Sequence, residues 1–160
     1  MQLLKRIENT VKKWSLNEYL ENTILGIIAF FLATFIHEMG HVIVANLLGC
    51  EAGLTHSGLI TGITSIGECS NYKLQIIALA GPLASFLAGI FIWFSESENS
   101  KLRLLAIILF LLSSVIQLVP VKPLDGYQAI EFGMPVWLEL LIFISVLSVS
   151  VNLILDEVKT

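Results

Sequence analysis

Four stretches of this chain are too long and too apolar to form the core of a small water-facing domain: Ile24–Leu48, Leu74–Phe94, Leu102–Val119 and Val136–Leu155. Each reaches or approaches the roughly 20 apolar residues that carry a helix across a bilayer. Only 14% of the 160 residues are charged, against about a quarter in a soluble domain. The pattern predicts an all-α polytopic membrane protein with about four transmembrane helices, and a lipid bilayer as its first partner. No nucleic-acid partner is expected. The net charge of -4 says little when most of the chain lies in lipid.

The opening "MQLLKRIENTVKKW" is not a cleavable signal, which would run from a short basic start straight into an apolar stretch and a small-residue cut site. Leu3, Leu4, Ile7, Val11 and Trp14 share one helical face, with Lys5, Arg6, Lys12 and Lys13 around the rest. Residues 1–22 therefore read as an amphipathic helix lying in the membrane interface, and 23–160 as the membrane core. A plain soluble cap on the first segment is the alternative.

Between the first two segments, Gly49, Gly53, Gly58, Gly62 and Gly67 alternate with Ile60, Thr61, Ile63, Thr64 and Ile66. Glycine-punctuated β-branched runs predict a short β-like loop. Cys50 and Cys69 flank it; without CxxC spacing they read as structural, paired in an oxidising compartment or inert thiols in a reducing one. Gly26, Ala29, Ala33 and His37 in segment one, and Ala78, Gly81, Ser85 and Ala88 in segment two, form stripes that let helix backbones approach. After segment three, Pro120, Pro123 and Gly126 break the helix around Asp125. Such a break at membrane depth is tolerated only inside protein or beside a wet cavity.

The run "FIHEMGHVIV" places His37, Glu38 and His41 inside the first apolar segment. His37 and His41 lie four apart, on one helical face, where two imidazoles can share a metal. Glu38 borders that face. Zinc hydrolases use this HExxH arrangement, with the carboxylate taking a proton from the water that the metal activates. Ionisable groups inside a membrane segment are expensive and mark function. A catalytic zinc needs a third protein ligand. Asp125 follows segment three on the side toward which His37 and His41 lie, and is the preferred candidate if the proline break folds back into the bundle. Glu139 at the start of segment four is its rival, although beside Trp137 it reads as an interfacial acid. His56, in the glycine-rich loop, is not expected to be a ligand.

These motifs resemble those of the site-2 protease family of intramembrane zinc metalloproteases. "HEMGH" fits that family's helix-borne HExGH, "LALAGPLASF" its glycine-proline motif in the next helix, and "QLVPVKPLDG" its NxxPxxxLDG motif. The resemblance implies one zinc per chain held by His37, His41 and Asp125, with Glu38 as general base. It implies hydrolysis of peptide bonds in or near transmembrane segments of membrane-anchored proteins or peptides, in a bacterial or archaeal cell membrane. Gln117 stands where the family usually has asparagine, and Ser85 where asparagine often follows the Gly-Pro pair. Those amides are thought to hold substrate or the oxyanion, so Gln117 and Ser85 are substrate or oxyanion candidates here. The competing reading is a catalytically silent relative that binds transmembrane helices. A transporter or channel subunit with an accidental motif is a third.

Two orientation arguments collide. Lys5, Arg6, Lys12, Lys13, Lys101, Arg103 and Lys159 lie on the amino-terminal side, against Lys73 and Lys122 opposite, which places the amino terminus in the cytoplasm. The family resemblance implies the reverse, with the zinc nearer the cytoplasmic face.

Overall fold

The computed structural model describes residues 16–56, 62–95 and 100–159. Helix α1 spans Leu16–Leu47, and strands β1 (Ala52–His56) and β2 (Gly62–Ile66) follow. Then come α2 (Asn71–Phe94), α3 (Ser100–Gln117), the short α4 (Asp125–Glu131) and α5 (Val136–Lys159). The interfacial helix expected over 1–22 lies largely outside the described residues. From Leu16 onward α1 runs unbroken through positions 22 and 23.

Among the described residues, three helices are long and apolar enough to cross a bilayer: Leu20–Leu47, Asn71–Phe94 and Val136–Val158. The third predicted segment supplies the shorter apolar stretch Arg103–Gln117. It makes up most of α3, whose 18 residues rise roughly 27 Å, close to a hydrocarbon core about 30 Å thick. Both ends of α3 are anchored. Arg103 is held at the edge by Glu157, 2.7 Å away, and by the Ser95 carbonyl at 3.2 Å. At the other end the chain leaves the helix after Gln117 and turns through Pro120 and Pro123 into α4.

Lipid tails are as apolar as leucine, so close packing and polar ties, not water expulsion, hold such a bundle together. The small-residue stripes supply the packing. Ala29, Ala33, Ala78 and Ser85 are all buried, while Phe30, Leu87, Phe91, Trp137 and Ile144 face outward. One core joins Ala78 and Leu79 of α2 to Leu118, Ala129, Met134 and Val146. A smaller one places Ala45, Cys50 and Ile77 beneath the strands.

Polar ties close the helix ends. Lys73 Nζ donates to the Leu48 carbonyl just past α1 at 2.7 Å, a cation on orphan carbonyls at the negative end of the helix. Gln75 Nε2 donates to the Phe132 carbonyl after α4, also at 2.7 Å.

β1 and β2 pair antiparallel, from Ala52 opposite Ile66 to His56 opposite Gly62. Cys50 and Cys69 form a disulfide across the base of this ribbon. The side chain of His56 lies outside the described part of the protein.

Candidate metal centre

His37 and His41 project from the later half of α1 toward α2, because α1 brings both imidazoles round to the same face after four residues. Both are buried, at 4% and 7% exposure. His41 donates from Nδ1 to the Ile77 carbonyl of α2 at 2.6 Å, which selects the tautomer whose Nε2 lone pair is free for a metal.

Gly81 makes room for the His41 ring. A Cβ there would overlap His41 Nε2 and stand 2.6 Å and 2.8 Å from its two neighbouring ring carbons. The glycine of "LALAGPLASF" is thus a packing requirement of the site itself.

Asp125 reaches the histidines from α4, whose first residue it is. Its neighbour Gly126 explains the approach: a Cβ at 126 would collide with the Leu118 carbonyl and stand 2.6 Å from Glu139 Oε1. Without that side chain α4 tucks under the end of α3, and Asp125 Oδ2 lies 2.9 Å from His37 Nε2 and 3.4 Å from His41 Nε2. The two imidazole Nε2 atoms are 3.1 Å apart. As a carboxylate, Asp125 would supply the anionic oxygen that a metal ligand needs.

The three donor atoms fit a zinc ion. Tetrahedral ligands about 2.0–2.1 Å from zinc stand roughly 3.3 Å from one another, close to the three separations above. One ligand atom from each of His37, His41 and Asp125 lies within 4.8 Å of the other two. The buried Asp125 Oδ2 also lacks a well-aligned hydrogen-bond donor, as a carboxylate oxygen kept for a cation would.

Glu38 and Gln117 line the same cavity as these ligands, a space of about 640 Å³ walled also by Phe30, Thr34, Ile66 and Phe132. Ser85 does not line it. Ser85 is fully buried and its hydroxyl donates to the Ala33 carbonyl at 3.4 Å, so it ties α2 to α1. Glu139, expected at the interface, is instead fully buried behind Gly126 with neither carboxyl oxygen hydrogen-bonded. Burial follows from α5 starting directly under the α3–α4 turn, and this position keeps Glu139 out of the ligand cluster. The Ile77 carbonyl had no signature in the sequence, since every residue has one.

The amide of Gln117 and the hydroxyl of Ser85 are therefore separable by mutation. Ser85→Ala is expected to change turnover at this site less than about threefold, because it removes one long hydrogen bond between helices. Gln117→Ala is expected to lower it by roughly tenfold or more, the usual effect where a cavity-lining amide stabilises an oxyanion. Turnover of both variants on one fluorogenic substrate checks this.

Two buried imidazoles and a carboxylate, carried at membrane depth by apolar helices, define an integral membrane protein with a site suited to a metal ion. A family model described as Peptidase M50B-like matches residues 16–150. The chain belongs to that family, the site-2 protease family of membrane metallopeptidases. No curated protein and no solved structure matched the chain.

Proposed function

We propose that this protein is an intramembrane zinc endopeptidase that hydrolyses peptide bonds in or near transmembrane segments of membrane-anchored substrates. The observation that carries the reading is the convergence of His37, His41 and Asp125 with Glu38 on one cavity. His37, His41 and Asp125 would hold the ion, which when bound would polarise the scissile carbonyl and bring the pKa of a water down to about 7.

The residues of the chain perform the remaining work. Glu38, next to His37 on α1, takes the proton of the attacking water and delivers it to the leaving amine. Gln117 at the end of α3 offers an amide N–H to the oxygen on which negative charge develops. Phe30, Leu74, Ile77 and Phe132 keep bulk water from the site. A substrate helix hides its carbonyls in hydrogen bonds and must unwind before attack. Ile66, the last residue of β2, lines the cavity, which supports a role for this ribbon in pairing with the opened peptide.

Zinc per chain tests the reading, measured by elemental analysis of detergent-purified protein. Wild type is expected to carry about one zinc, and His37→Ala and Asp125→Ala to lose it while remaining monodisperse and helical. Zinc retained by Asp125→Ala would move the third ligand elsewhere. Absence of zinc from folded wild type would overturn the proposal.

A further inference from the structure

The structure bears on which way the chain faces. Cys50 follows α1 and Cys69 precedes α2, so both lie at the end of the bundle that carries the β-ribbon and, through Ile66, Pro123 and Gln128, one wall of the cavity. They form a disulfide with Cα atoms 5.7 Å apart, within the usual range for a bridge. Cys50 is buried against Ala45 and Ile77, so the bridge belongs to the packing beside the site and is not a surface accident. Disulfides persist in oxidising compartments and are rare in the cytosol.

Positive charge gives the same answer from the opposite end of the bundle. The start of α1 and the end of α5 lie at the end of the bundle away from the ribbon, where α2 ends and α3 begins, and in the sequence seven lysines and arginines precede α1 or fall within these helix ends. The ribbon face has two, Lys73 and Lys122. Lys73 is bonded to the Leu48 carbonyl, and Lys122 pairs with Glu131 at 3.1 Å. Lysine and arginine in short loops mark the cytoplasmic side.

We propose that the β-ribbon, its disulfide and the cavity wall beside them face the non-cytoplasmic side, with both ends of the helical core toward the cytoplasm. This is opposite to the placement that family resemblance implies. His41 and His37 stand six and ten residues before Leu47, the end of α1, hence roughly 9 and 15 Å below that face. The substrate is accordingly a membrane-anchored chain whose scissile bond lies in the non-cytoplasmic half of its span, with the released piece leaving on that side. The position of the bond rests on the peptidase reading; the orientation does not.

The test uses the full chain in intact cells and needs neither metal nor activity. Glu131→Cys, beside that cavity wall, and Glu98→Cys, between α2 and α3, are each placed in the otherwise wild-type protein. Both are treated with a membrane-impermeant maleimide before and after permeabilisation. Labelling of Glu131→Cys on intact cells, with Glu98→Cys labelled only after permeabilisation, is the expected result. The reverse pattern, or labelling of both on intact cells, overturns the proposal. Wild type denatured in alkylating buffer is the second measurement. No thiol should react with a mass-tagged maleimide until reductant is added, and then two. Two thiols reactive without reductant overturn the proposal as well. A correctly oriented chain without zinc would refute the peptidase reading and leave the orientation standing.

Discussion

Glu38→Gln is expected to keep about one zinc per chain and to lower peptide hydrolysis by roughly 10²–10⁴-fold, the usual worth of a positioned proton acceptor. The substitution keeps the size of the side chain and its place on the cavity wall, and touches none of the three ligands. Metal content and turnover therefore separate. Single-turnover cleavage of a membrane-anchored substrate, with zinc measured on the same preparation, provides the check. Unchanged turnover would show that Glu38 is not the base. Wild type with full zinc and no cleavage of any substrate tested would favour a silent relative that binds transmembrane helices.

Gly81→Ala has the second largest expected effect, and it acts on metal affinity. One methyl group at position 81 enters the space of the His41 ring. The ring cannot retreat freely, because Nδ1 is tied to the Ile77 carbonyl. Either that bond breaks or α2 shifts away from α1, and each outcome moves Nε2 out of the ligand cluster. Disturbing a partner that orients a metal ligand typically costs 10–100-fold in metal affinity, and a loss of that size is expected here. Gly89→Ala is the matched control. It lies on the same helix, and its Cβ would meet the flexible end of Leu111, with the nearest carbon at 2.7 Å. It should lower thermal stability without changing zinc affinity. Competition with a chromogenic chelator, beside a melting curve, distinguishes the two. Equal zinc affinity in Gly81→Ala and wild type would refute the role assigned to Gly81.

The membrane class and two metal ligands were legible because each rests on spacing along one helix. Apolar runs as long as a bilayer is thick restrict a chain to helices, and His37 and His41 share a face whatever surrounds them. The family motifs extended that reading to Asp125. The anchoring of the third segment was not legible, since a hydropathy run cannot reveal that Arg103 pairs with Glu157 or that the chain leaves the helix at Gln117. Ser85 was likewise misleading by position: its place after the Gly-Pro pair suggested the site, while the rotation of α2 turns its hydroxyl onto the Ala33 carbonyl.

Sequence alone determined that apolar helices build this protein and that two histidines and a glutamate share one stretch of its first long helix. These are local properties of composition and helical period. Only the tertiary structure decided which acid completes the cluster, since Asp125 and Glu139 both begin helices near the same end of the bundle. The difference is made by Gly126, which lets α4 slide under Leu118, and by the start of α5, which buries Glu139 behind it. Contacts such as that between His37 and Asp125, 88 positions apart, depend on how the backbones pack, and no periodicity in the chain encodes them.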